Sequence, residues 1–300
     1  MSGIDAVVGG RFELREVVGR GAMGCVWLAY DRVLRREVAI KETTSPSGTT
    51  DAELAPLREI ALREARAAAR VNHPNAVRIL DIVDAGRRPW IVMEHVPSWS
   101  LRELTDRNGP LAPGYVASIG VAVLDALTAA HRAGVLHRDV KPANVLIGHD
   151  GRVVLADFGI ALRHGQPPGH EPTLGTPQFV PPERVSANLS LPEGDLYSLG
   201  ATLYNAVEGR GPYDRDSVEN TLGALLRTPP DPPRCADELT PVLDGLLHRD
   251  PYLRWRPARV RRELVRVARG AGPEFAAAGA VRAFPATPVQ CSTIAMSAPG

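Results

Sequence analysis

His137-Arg138-Asp139-Val140-Lys141-Pro142-Ala143-Asn144, with Asp157-Phe158-Gly159 beginning thirteen residues after Asn144, is the stretch on which the reading of this chain turns. It places a carboxylate, an ammonium and a carboxamide within six residues, then adds a second carboxylate beside a glycine. Asp139 can orient a hydroxyl, and Lys141 can sit against a phosphoryl oxygen. Asn144 and Asp157 offer two hard oxygen ligands. Magnesium takes few protein ligands and completes its shell with water and phosphate oxygens, so this donor set points to phosphate chemistry.

Upstream, Gly19-Arg20-Gly21-Ala22-Met23-Gly24-Cys25-Val26 is a glycine run of GxGxxGxV spacing. A dinucleotide-binding turn would need a strand before it and a helix after it. Here a second strand, Val26 to Tyr30, follows, so the run reads as a glycine-rich hairpin. Without Cβ atoms, its backbone N–H groups can approach phosphate oxygens. Val38-Ala39-Ile40-Lys41 ends the next alternating strand, 17 residues after Gly24, which brings its ammonium under the hairpin. Such a lysine needs a carboxylate to hold it. The helix expected over Leu57 to Val71 offers Glu64, with Glu59 as competitor.

The chain has 300 residues, 44% of them hydrophobic, and a net charge of +1. That length suggests two domains or one bilobal domain. Near-neutrality argues against nucleic acid as the main partner, because phosphate-backbone binding needs clustered excess cation. Cys25, Cys235 and Cys291 show neither disulfide nor zinc spacing. The longest apolar run, Ile119 to Ala130, is too short to span a bilayer, and Met1 to Gly10 has no signal-peptide pattern. A strand-rich first third includes apolar runs at Ala76–Ile82 and Trp90–Val96. Helical patterns follow at Pro113–Ala133, Leu196–Val207, Val218–Arg227, Leu239–His248 and Ala258–Arg269. Only two of the 35 basic residues are lysines, and both, Lys41 and Lys141, fall in the motifs above.

In their order and spacing these motifs resemble those of the eukaryotic-like Ser/Thr protein kinases of actinomycetes, from about Arg11 to Arg269. The resemblance implies an α+β, bilobal fold with an antiparallel N-lobe sheet plus one helix and a mostly helical C-lobe. It divides the chain into an N-terminal extension (1–10), a kinase domain (N-lobe 11–95, C-lobe 96–270) and an Ala/Gly/Pro-rich disordered tail (271–300). The implied activity is transfer of the γ-phosphoryl group of ATP to protein Ser/Thr hydroxyls, with autophosphorylation. Mg²⁺, or Mn²⁺ in its place, would be held by Asn144 and Asp157. Asp139, Lys141, Lys41 and Glu64 would be the catalytic residues, which favours Glu64 over Glu59.

Gly19, Gly21, Gly24 and Lys41 would meet the phosphates. Val26, Ala39 and Leu146 would sandwich the purine, with Met93 as gatekeeper and Glu94-His95-Val96 as the adenine-binding hinge. Gly175-Thr176-Pro177 through Pro181-Pro182-Glu183 resembles the end of the activation segment. Thr176 would bridge Asp139 and Lys141, Arg254 would pair with Glu183, and Asp195 would hold the catalytic-loop backbone. These last residues have structural roles. Between Gly159 and Gly175 only Thr173 can take a phosphate, so it is the candidate phosphosite, with Arg138 as receiver. The expected setting is cytoplasmic, with protein substrates, no nucleic acid, no membrane segment and a homodimer through the N-lobes. Two other functions stay open: a pseudokinase scaffold and a small-molecule phosphotransferase of the same fold.

Overall fold

The computed structural model describes residues 6–21, 24–42, 51–85, 88–158 and 177–270. The first lobe is a six-stranded antiparallel sheet built from β1 (Val7–Val8), β2 (Phe12–Gly21), β3 (Gly24–Asp31), β4 (Arg36–Glu42), β5 (Ile79–Ala85) and β6 (Arg88–Glu94). Its spatial order is β1-β2-β3-β4-β6-β5. β1 comes from the stretch expected to be an N-terminal extension, so Val7 and Val8 are paired into the sheet edge.

β4 is buried on both faces, and its alternation sends side chains into two cores. Val38 and Ile40 join Phe12, Leu14, Ala29 and Val92 on one side. Ala39 joins Ala65, Ile91, Met93 and Val154 on the other. The helix α1 (Asp51–Ala68) lies against β5 and β6 on that second side. It begins six residues before the expected start and carries Pro56 within it. As the sixth helical residue Pro56 lies just past the first turn, where it removes one i→i−4 backbone hydrogen bond.

The second lobe surrounds α3 (Pro113–Arg132) and α5 (Pro192–Glu208). Ile119, Leu124 and Leu127 of α3 and Leu199 and Leu203 of α5 are completely or almost completely removed from water. α3 has a mean hydropathy of 1.4 over an 18-residue window and is long and apolar enough to cross a membrane; more than half of it is buried inside the lobe as its core helix. α8 (Pro257–Gly270) packs across α3 through Val260, Leu264 and Val267. The lobe also contains α2 (Leu101–Asn108), α4 (Pro182–Ala187), α6 (Val218–Arg227) and α7 (Thr240–Leu246). A small sheet of β7 (Ser98–Ser100), β8 (Val145–Gly148) and β9 (Val153–Leu155) faces the first lobe. The two lobes are joined there by a backbone bridge: Val77 N–H donates to Leu155 O (2.9 Å) and Leu155 N–H to Asn75 O (2.8 Å).

Candidate active site

Backbone register places the glycine hairpin over Lys41. Gly21 pairs with Gly24 at the hairpin end, Gly19 with Val26, and Val26 with Lys41 on the next strand. Gly24 has φ +126°, a conformation that side-chain-bearing residues rarely adopt. Lys41 is almost fully buried, at 3% exposure. Below it, one apolar cluster joins Val26, Ala39 and Met93 from the first lobe with Val96 and Leu146 from the hinge and second lobe. The residues expected to sandwich a purine therefore come together from both lobes.

The loop from His137 to Asn144 is held from behind by Asp195. Its Oδ1 accepts the Arg138 N–H (2.7 Å), and its Oδ2 accepts the His137 N–H (2.8 Å) and contacts His131 Nε2 at 2.7 Å. Burial alone would raise the Asp195 pKa. The hydrogen bond from His131 and the positive field around it outweigh that and hold the carboxyl below its ordinary value. His137 Nε2 donates to the Ala156 carbonyl (2.8 Å), which leaves Nδ1 to accept the Asp139 N–H (3.2 Å). The His137 ring stands edge-on to Phe158, with centroids 4.8 Å apart. His137 thus packs and hydrogen-bonds inside the loop, joining the Asp139 backbone to the Asp157-Phe158 segment.

Asp139 Oδ2 meets Lys141 Nζ at 2.7 Å and the Asn144 amide nitrogen at 3.1 Å. The same nitrogen also donates to the Asp139 carbonyl (2.8 Å). With its nitrogen committed in this way, Asn144 presents its oxygen as the atom left for a cation. Asp157 lies at the end of the β8–β9 hairpin in a left-handed conformation, φ +65°, and Arg138 is left-handed too, φ +66°. Left-handed non-glycine residues cost conformational energy, and these two lie in the neighbouring segments that carry Asp139 and Asp157.

One expected contact is replaced. Lys41 does not pair with Glu64 here: its Nζ lies 2.8 Å from Asp157 Oδ2. Glu64 Oε1 instead takes the Arg138 guanidinium at 3.1 Å. The cause is tertiary: Glu64 projects from α1 toward the loop arginine, and this leaves Lys41 to the nearest remaining carboxylate. Desolvation would raise the Asp157 pKa, but the adjacent Lys41 charge prevails and lowers it. Glu64 behaves oppositely. Its burial raises the pKa above 4.5, against the opposing pull of Arg138.

The Glu64–Arg138 pair is also incomplete: Glu64 Oε2 and Arg138 Nε are both buried without a hydrogen-bond partner among the described residues. Asp157 and Asn144 both carry oxygen donors, the chemistry that suits a hard divalent cation, although Asp157 Oδ2 is paired with Lys41 in this arrangement.

Of the supporting residues expected from the motifs, Glu183, Asp195 and Arg254 lie within the described residues. Arg254 meets Glu183 through two parallel bonds of 2.7 Å. Ser198 Oγ of α5 donates to the Phe179 carbonyl (2.7 Å) and anchors the segment that leads to Glu183. A further residue was not anticipated from sequence: the Arg184 guanidinium, one position after Glu183, donates to the Arg138 carbonyl. Gly159, Thr173, Gly175 and Thr176 lie outside the described residues, as do Ala22, Met23 and 271–300.

Residues 12–263 match the model of the protein kinase domain. The chain belongs to the protein kinase family. It is similar to the probable serine/threonine-protein kinase SCO3848 of Streptomyces coelicolor, at 37% identity over 84% of this chain and 39% of that protein. It is also similar to the serine/threonine-protein kinase PknB of Mycolicibacterium smegmatis, at 36% identity over 88% of this chain and 44% of that protein. This chain therefore spans less than half the length of these relatives. A crystal structure of Rad53 1–466 in complex with AMP-PNP superposes with a TM-score of 0.70 at 25% identity, covering 84% of this chain and 64% of that one. This kinase fold has the antiparallel first lobe and helical second lobe expected from the motifs. Protein kinases use ATP and a divalent metal.

Proposed function

We propose that this chain is the catalytic domain of a Ser/Thr protein kinase that moves the γ-phosphoryl group of ATP to a protein Ser or Thr hydroxyl. One observation carries the reading: Asp139, Lys141 and Asn144 meet on one carboxylate oxygen, beside an interlobe apolar cleft with Lys41 and Asp157 at its inner end. The setting is cytoplasmic, where ATP is available, and the acceptors are protein side chains.

Asp139 holds the acceptor hydroxyl in line and takes its hydrogen bond; Lys141 offsets charge on the moving phosphoryl group. Lys41 and the hairpin backbone hold the α- and β-phosphates. Asn144 and Asp157 would hold Mg²⁺, with Mn²⁺ as the substitute; when bound, such an ion neutralises charge between the phosphates. Glu94, His95 and Val96 present the backbone edge to the purine, and Met93 lines its inner wall.

The pairing seen here is a resting arrangement. While Asp157 is held by Lys41, and Glu64 by Arg138, the ligands and the phosphate contact are committed elsewhere. A phosphate on Thr173 gives Arg138 a stronger partner, which releases Glu64 to Lys41 and frees Asp157. A homodimer through the first-lobe sheets belongs to the same reading, and sedimentation equilibrium tests it.

The deciding experiment incubates the chain with radiolabelled ATP, Mg²⁺ and a generic Ser/Thr protein acceptor, followed by phosphoamino-acid analysis. Label on phosphoserine or phosphothreonine that is lost in Asp139→Asn supports the assignment. Nucleotide binding with no transfer under any condition would instead mark a scaffold. Label only on a small metabolite would mark a small-molecule phosphotransferase.

A further inference from the structure

Glu94 is the last residue of β6, where the chain leaves the first lobe. Its backbone N–H donates to the Arg78 carbonyl (2.9 Å), and its Oε1 accepts the Arg78 N–H (3.0 Å). The second carboxylate oxygen turns across the lobe boundary. Oε2 accepts from Arg152 Nη2 of the other lobe at 3.2 Å. Arg152 lies in the turn between β8 and β9, and its root is tightly set. Gly148 N–H donates to the Arg152 carbonyl (2.8 Å), and Asp150 Oδ1 accepts the Arg152 N–H (2.9 Å). The same guanidinium reaches the Pro74 carbonyl at 3.5 Å through Nη1. The same turn also grips the far end of the linker, through His149 N–H to the Pro97 carbonyl (3.0 Å). One turn of the second lobe thus fastens both ends of residues 94–97 from outside the cleft.

We infer that Arg152 is a positioning residue for nucleotide binding: it fixes the Glu94 side chain across the lobe boundary and so sets the backbone edge that the purine meets. The inference rests on the reading of Glu94–Val96 as the purine-binding linker. Arg152 does not touch the nucleotide; it acts through Glu94. The pair is partly exposed, with side-chain exposures of 35% and 20%, so salt screens it, and its effect is modest.

The test measures the dissociation constant of a non-hydrolysable ATP analogue on the full chain, at low salt and at about 0.5 M salt. Arg152→Gln is expected to weaken binding about three- to fivefold relative to wild type at low salt, with the ratio falling toward one at high salt. The turnover rate at saturating ATP stays unchanged. Arg152→Lys keeps a cation within reach of Oε2 and recovers part of the loss. Equal affinities of wild type and Arg152→Gln at low salt overturn the inference. So does a weakening that salt does not alter and Lys does not relieve, which reports packing rather than the ion pair. If wild type binds no nucleotide at all, the purine reading fails first and the inference with it.

Discussion

Two glutamate–arginine pairs, each joining residues more than seventy positions apart, are built in opposite ways. In Glu183–Arg254 every donor is used. Arg254 Nε donates to His248 O, and Nη1 to Glu183 Oε1 and Glu193 O. Nη2 donates to Glu183 Oε2 and Arg249 O. All five N–H groups of the fork are thus satisfied, and its face lies 4.9 Å from the Tyr197 ring centre. In Glu64–Arg138 one 3.1 Å contact is made, and among the described residues one buried acceptor and one buried donor are left over. A saturated pair has no better arrangement to move to, whereas a half-made pair can exchange partners at little cost. The first is scaffold. The second sits where the family requires a lysine–glutamate contact for activity, and it leaves that contact open.

The comparison can be broken in several places. The largest effect belongs to the chemistry that the movable pair serves. Asp139→Asn should lower phosphoryl transfer by about 10²–10⁴-fold while nucleotide affinity, measured by calorimetry, stays near wild type. Arg254→Ala should come next. Stranding Glu183 in the core costs about 3–5 kcal/mol, read as a thermal midpoint lowered by roughly 2–4 °C per kcal/mol. A variant that melts like wild type would erase the contrast. Lys41→Arg should cost about a hundredfold in transfer with little change in melting, because the planar fork cannot take the place of a compact ammonium in that buried slot.

Glu64→Gln is expected to show the smallest effect on stability, within about 1 kcal/mol of wild type, since the pair it breaks is incomplete. Its signature is in the pH dependence. The Glu64 pKa is raised in the folded chain, so its stabilising contribution is fully present below 4.5 and is lost as pH rises through the folded value. Asp195, with a lowered pKa, contributes above 3.8 and loses that contribution as pH falls through its folded value. Melting curves between neutrality and pH 3 should therefore lack, in Glu64→Gln, the stabilising component that wild type gains on acidification, while the steep acid limb remains. An unchanged pH profile would place Glu64 in solvent.

Much of this site can be read from sequence because its chemistry is local. Asp139, Lys141 and Asn144 lie within six residues, and the strand periodicity alone puts Lys41 beside the glycine hairpin. The distant partners Asp195, Glu183 and Arg254 followed from family resemblance. What sequence did not show was which carboxylate faces which cation. Glu64 can face Arg138 or Lys41 according to how α1 lies on the sheet, and that placement is a property of packing. Arg184 and Arg152 were missed for the same reason: their partners lie 46 and 58 positions away, on other elements.

α2 is a different case, because its signal was present. Ser100 and Glu103 form a capping box just before Leu101 and Leu104, and in the structure each side chain caps the other's backbone N–H. β1 and β7, of two and three residues, are too short for any alternation to register.

The scarcity of lysine gives the surface a chemical character of its own. Lys41 is buried against Asp157 and Lys141 lies against Asp139, so both ε-amines of the chain belong to the cleft and every fully exposed basic side chain among the described residues is an arginine or a histidine. An amine-directed acylating reagent meets no fully exposed ε-amine on this domain, since Lys41 is buried and the Lys141 side chain is only 22% exposed. Any label it leaves on a lysine reports entry to the cleft, and a nucleotide that fills the cleft protects both positions together.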